Sequence, residues 1–317
     1  MIGAGTFMPR IVLATMHLNN RRPAEALELL RWCFRHHPEH LGTIHPYATA
    51  LLQSGSEPEA VAAAVERELD PLSAAGRFML GTALFERGHA ALAESQFRVV
   101  LERQPHSGAA RAALAEALMY QRRYEEAADA AGAVPVDAGV AVVAMRTELF
   151  GRLLAGDLDG AGATLARAPV AGLPNHEPAL FRRWLSRERG EHHEPAPLSS
   201  IPLLARMLES LLRVQDFERF ESLLGLLKET ELPEREQREL LAQMYLRRGF
   251  LRSAGREWMA VCESQPDARA LVGLAHVALA NGQAETAGAF VEHALALDPE
   301  NQTAQRLAAG GRQRAAA

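Results

Sequence analysis

Four histidines, His36, His37, His40 and His45, crowd around one turn of the chain. Imidazole is the commonest zinc ligand, so a metal site is the first chemistry to weigh. Pro38 stands between His36 and His40 and ends any helix there, so the four rings need not share a face. No cysteine pair and no HExxH accompanies them, and solvated histidines at a turn are the plainer reading. His192 and His193, flanked by Glu191 and Glu194, form a second pair inside a charged, proline-rich segment that reads as linker. Glu125, Glu126 and Glu292 fall where a helix would face water, with no motif around them. Gly160-Ala161-Gly162 lacks a preceding strand and a phosphate-binding lysine, so it reads as a spacer. There is no GxSxG, P-loop or dinucleotide fingerprint. Cys33 and Cys262 fit buried small hydrophobes, and two cysteines cannot make a disulfide framework. The reading is therefore of a non-enzymatic chain, with no catalytic centre, metal or cofactor expected.

The element that organises the chain is residues 74–107, AAGRFMLGTALFERGHAALAESQFRVVLERQPHS. Leu80, Gly81 and Leu84 make one apolar stripe at helical spacing, and Ala93, Phe97 and Val100 make a second. Between them Gly88 supplies the positive backbone angle that a tight helix–helix turn needs. Gly81 and Ala93 are small, so the two helices can approach closely there. Pro105 sets the exit. Such a helix–turn–helix unit cannot bury both faces alone and needs copies on either side.

The composition suits that architecture. The chain has 317 residues, 48% of them apolar or aromatic, with alanine and leucine dominant. Helix is favoured throughout. With 34 basic and 39 acidic residues the net charge is −5, which gives no general attraction to nucleic acid or to an anionic membrane. No apolar run is long enough for a membrane span. The apolar start lacks a basic stretch and Pro9-Arg10 interrupts it, so it reads as the first helix rather than a signal peptide, and a cytoplasmic location is inferred.

Copies of the unit follow in phase. At 7–40, Leu13 and Ala14 stand where Leu80 and Gly81 stand, with Ala26, Leu30 and Cys33 in the second stripe. At 41–73, Tyr47, Ala48 and Leu51 precede Gly55, and Ala60 and Ala64 follow, with Pro71 closing the unit. The unit beginning at Gly108 carries Leu114, Ala115 and Leu118, then Ala127 and Ala131. Three more occupy 201–234, 235–267 and 268–301. Phe220 replaces the usual small residue in the first of these, so that helix pair should be splayed.

On these residues the chain resembles the tetratricopeptide repeat family, over roughly 7–141 and 201–301. The clearest copies are the stretch above and ARALVGLAHVALANGQAETAGAFVEHALALDPEN. The resemblance implies an all-α fold, a right-handed superhelix or α-solenoid. It divides the chain into an N-terminal block 7–141 of about four repeats, degenerate repeats and linker at 142–200, a C-terminal block 201–301 of about three repeats, and a tail 302–317. The tail reads as part of a polar capping helix, disordered from Gly310. The segment Gly190–Ser200 is the best boundary between two blocks.

The resemblance also implies that the first helix of each unit lines a concave groove that binds a partner protein or peptide. By register, Ile11 and Thr15 lie on that face, with Met8, Val12 and Asn19 beside them. Thr49 follows, between His45 and Gln53. Phe78, Met79, Thr82 and Phe85 come next, then Glu116, Met119 and Tyr120. This is an unusually apolar set for a surface facing water, which points to a segment with apolar anchors as the occupant. The C-terminal block offers a mixed-charge face instead, including Arg206, Glu209, Arg213, Glu239, Arg247 and Arg269. It holds no Lys/Asn/Lys/Arg clamp of the kind that family members use on a terminal carboxylate. Three readings stay open: a scaffold or adaptor, a regulatory or substrate-recognition subunit of an enzyme system such as a glycosyltransferase or envelope-polymer export complex, and a self-assembling homo-oligomer. The Ala-, Arg- and Gly-rich composition suggests a bacterial source.

Overall fold

A computed structural model describes residues 7–37, 40–68, 73–170, 172–192 and 195–315. Among them all regular structure is helical, and the fold is an all-α array of helix–turn–helix repeats. The chain divides into two compact units, Met1–Pro174 and Asn175–Ala317.

In the first unit the hairpins are α1 (Phe7–Asn19) with α2 (Pro23–His36), α3 (Ile44–Gln53) with α4 (Pro58–Glu68), and α5 (Ala74–Glu86) with α6 (Ala90–Arg103). Then come α7 (Gly108–Tyr120) with α8 (Tyr124–Gly132) and α9 (Ala141–Ala155) with α10 (Leu158–Arg167). A single 3-10 turn, Leu41–Thr43, precedes α3. The α5–α6 hairpin shows why the sequence folds this way. Ser73 Oγ accepts a hydrogen bond from the Gly76 amide at 3.0 Å and caps α5. At the other end the His89 amide donates to Leu84 O and the Gly88 amide to Phe85 O, both at 2.9 Å, with Gly88 at φ 89°. That is a Schellman closure, which satisfies carbonyls the helix leaves over. Arg122 closes α7 in the same way at φ 59° without being a glycine. Between the helices Phe97 is 1% exposed and fills the space Gly81 leaves: a Cβ on Gly81 would sit 2.6 Å from its ring.

The second unit holds α11 (His176–Glu188), then α12 (Ile201–Arg213) with α13 (Phe217–Lys228), α14 (Glu234–Arg247) with α15 (Leu251–Ser264), α16 (Ala268–Ala280) with α17 (Ala284–Leu297), and α18 (Gln302–Ala315). A 3-10 turn, Leu198–Ser200, leads into α12. Side-chain oxygens cap three of these helices: the carboxylates of Asp216 on α13 and Asp267 on α16, and the amide oxygen of Asn301 on α18. Trp258 of α15 packs flat over Gly273 of α16, where a Cβ would lie 2.3 Å from the indole. The α12–α13 pair, with Phe220 buried, touches less extensively than α14–α15 or α16–α17.

Three expectations are corrected. In α4 the buried stripe is Val61 and Val65 while Ala60 is exposed, one residue later than read, because the larger branched side chains claim the core. α18 runs from Gln302 through Gly310 to Ala315. The stretch 142–200 is more regular than its sequence: α9 and α10 form a hairpin closed by Gly156 at φ 79° and capped by Asp157. The units divide ahead of Gly190–Ser200 because α11 packs forward on the 3-10 turn Leu198–Ser200 and its Arg183 pairs with Glu229. Pro38, Pro71, His193 and Glu194 lie outside the described residues.

Candidate partner-binding surface

In the first unit the first helices α1, α3, α5, α7 and α9 pack in sequence, each on the next. The residues read as groove-facing fall on this layer, and none of them is fully buried. Their degree of exposure divides them. Met8 and Val12 on α1 are each 56% exposed, with Met16 at 55%. Thr15 is exposed and returns its hydroxyl to Ile11 O, while Ile11 is half-buried. Phe78, Met79, Phe85 and Met119 are half-buried, one side of each resting on the core of the unit. The Phe78 ring lies 5.7 Å from that of Phe97, and Phe85 meets Tyr120 at 4.6 Å. The second contact joins α5 to α7 and makes the row continuous between repeats. Thr82, half-buried, donates its hydroxyl to Phe78 O.

The polar members of the row are short of partners. Thr49 Oγ1 and Gln53 Oε1, one turn apart on α3, are buried and make no hydrogen bond. Glu116 on α7 is half-buried, and burial alone pushes its carboxyl above the usual range. Glu86 is exposed and takes a hydrogen bond from His45 Nε2 at 2.9 Å.

The remaining histidines are accounted for by stacking: Trp32 stacks on His36 at 4.1 Å, Arg10 lies 3.9 Å over Trp32, and Phe7 meets His37 and His40 edge-on. Among the described residues no three His, Cys, Asp or Glu side chains come together as a metal-holding group. No described helix is long and apolar enough to cross a membrane.

In the second unit the groove-register charges are tied to one another. Glu239 is 5% exposed and binds Arg235 at 3.2 Å and Arg269 at 3.1 Å. Glu209 holds Arg247 and Arg248. An open cavity of about 400 Å³ lies beside Arg235, Glu239, Gln243 and Arg269. The ion pairs of Arg247, Arg248 and Arg269 join neighbouring first helices of the array, and the Arg235–Glu239 pair lies within α14.

Two buried networks went unread in the sequence. Glu94 of α6 takes hydrogen bonds from Gln121, Arg98 and Arg123, and Glu148 of α9 from Arg152, Thr164 and Arg167. Their signal was the Glu–Arg spacing of four residues in 94–98 and 148–152, which places both ends on one helix face. Each glutamate then reaches the next helix, so these carboxylates join elements rather than serve a ligand.

Residues 78–138, from the first helix of one hairpin to the end of the next, match the tetratricopeptide repeat family. Residues 78–138 carry tetratricopeptide repeats. No match is found among curated proteins. Among solved structures, the chain aligns with a tetratricopeptide repeat protein from Parabacteroides merdae at 14% identity and TM-score 0.41, over 96% of this chain and 98% of that one. The C-terminal part of a repeat-containing protein from Cytophaga hutchinsonii aligns at 14% identity and TM-score 0.39, over 94% and 98%. A structure of Naa15 and Naa10 bound to HypK aligns at 17% identity and TM-score 0.41, where 95% of this chain spans 43% of the other.

Proposed function

We propose that this chain is a non-enzymatic scaffold that holds a segment of a partner protein along the first-helix layer of its N-terminal unit. The observation that carries the reading is the Phe85–Tyr120 contact between α5 and α7. It turns Phe78, Met79, Phe85 and Met119 into one half-buried apolar row that crosses a repeat boundary. An extended peptide or an amphipathic helix with apolar side chains at helical spacing fits such a row. The repeats are preformed, so little ordering cost falls on the scaffold.

The test places a photo-crosslinking phenylalanine analogue in the full chain at Thr82 or Tyr120 on the row, and at the exposed Glu125 of α8 as the control. After irradiation in the native cell, a discrete adduct from Thr82 and Tyr120 that Glu125 does not give is the expected result. Adducts from Glu125 alone, or equal adducts from all three, would move the binding surface elsewhere.

A further inference from the structure

The row lacks an ion-pair partner for its half-buried carboxylate. On α7, Glu116 has no ion pair or hydrogen bond among the described residues, although burial raises the cost of its charge. Tyr120 stands one turn further on the same helix face, with its ring against Phe85. On α3, Thr49 Oγ1 and Gln53 Oε1 make no hydrogen bond either. The other charged group on the α5–α7 part of the row is Glu86, again a carboxylate, already occupied by His45. On the same two helices, Arg77 bonds Glu66 and Gln96, and Arg111 bonds Pro105 O. An uncompensated carboxylate in a partly dry site costs stability unless something brings it a positive charge. The neighbouring aromatic faces favour the same kind of guest, since a cation is attracted to the π-face of a ring.

We propose that Glu116, beside the Phe85–Tyr120 pair, is the recognition site for a lysine or arginine side chain of the bound segment, set between that segment's apolar anchors. The inference rests on the groove reading above and names the partner's chemistry: a basic, apolar segment rather than an acidic one. The guest's ammonium or guanidinium donates to the Glu116 carboxylate, and its aliphatic stem lies on Met119 and the ring of Phe85.

The test pans a phage-displayed random dodecapeptide library against the full chain as wild type, as Glu116→Gln and as Phe85→Ala, each checked for helix content by circular dichroism. The expected result is enrichment of peptides that carry Lys or Arg beside apolar residues on the wild type. On Glu116→Gln the basic preference disappears while the apolar preference stays. For an enriched peptide, replacing its basic residue by norleucine should weaken binding about tenfold on the wild type and little on Glu116→Gln. Apolar peptides without a basic preference, or a basic preference that survives Glu116→Gln, would overturn the assignment and leave the groove reading standing. Peptides that bind Phe85→Ala as well as wild type, or no enrichment at all, would sink the groove reading and this inference with it. Glu116→Gln keeps the side-chain shape and removes a costly charge, so a lower melting temperature would instead mark Glu116 as structural.

Discussion

Single residues in this chain are decided by the space between paired helices. Gly81 and Gly288 are both helix-interior glycines, and they should respond to alanine with opposite sign. A Cβ on Gly81 meets the Phe97 ring at 2.6 Å, and Phe97 is 1% exposed, so it has nowhere to go. Overpacking of this kind typically costs about 1–3 kcal/mol, more than the ~1 kcal/mol that alanine gains in helix propensity. Gly288 of α17 is exposed with nothing within 4 Å of a Cβ, so Gly288→Ala keeps the propensity gain. Urea unfolding of both variants checks this: Gly81→Ala should lower the midpoint and Gly288→Ala raise it. The role of Gly81 was legible in the sequence because a small residue facing Phe97 across the turn has a geometric meaning. The state of Glu116 was not, since a glutamate in helical register looks the same whether or not an arginine waits on the next helix.

At the scale of elements, the network around Glu94 ties one hairpin to the next, and that around Glu148 joins the two helices of its own hairpin. Burial pushes the Glu94 carboxyl up, but hydrogen bonds from Gln121, Arg98 and Arg123 outweigh that and leave it below its usual range. A carboxylate with a depressed folded pKa contributes stability that is present above its unfolded pKa, about 4.3, and is lost as pH falls through the folded value. Wild type should therefore lose stability on acidification through that window, and Glu94→Gln should lose less over the same window. At pH 7 Glu94→Gln should cost about 1–2 kcal/mol, toward the lower end for bonds to charged groups because Arg98 and Arg123 are 47% and 36% exposed. Denaturant unfolding at a series of pH values reads both effects, and parallel pH profiles would show that Glu94 is not the linking group. Helix existence was legible from period and from glycine turns. The register of α4 was not: residues 60–65 read Ala-Val-Ala-Ala-Ala-Val, two apolar sets at helical spacing, and only packing against the neighbouring helices selects the valines.

For the whole molecule, the question is where a cut leaves a unit that still folds. The sequence loses its repeat pattern at 142, which invites a boundary at 141. In the structure α9 is bound into the first unit. Gly151 brings it against α8 so closely that a Cβ there would lie 2.8 Å from Tyr124 O. Met145, Leu149 and Phe150 are all buried, and Glu148 reaches α10 through Thr164 and Arg167. The apolar clusters centred on Phe97 and on Ala112, Val134 and Ala144 both lie within residues 1–174. Two glycine- and proline-rich breaks, at 169–174 and 190–200, look alike in composition. What distinguishes them is that α11, lying between them, packs onto the turn at Leu198–Ser200 and reaches Glu229, and such contacts are not written in local sequence. A chain of residues 1–174 should therefore unfold in one cooperative urea transition, whereas residues 1–141 strip the covering helix from α8. Each large apolar side chain that is lost or uncovered forfeits about 1.5–3 kcal/mol, and in a repeat array each interface adds to stability nearly independently. The shorter chain should be less stable by about 3 kcal/mol or more, with a smaller dependence on urea because it exposes less surface on unfolding. Equal midpoints for the two chains would mean that the α9–α10 hairpin contributes nothing to its neighbours. The boundary would then belong at 141, where the repeat pattern in the sequence first fades.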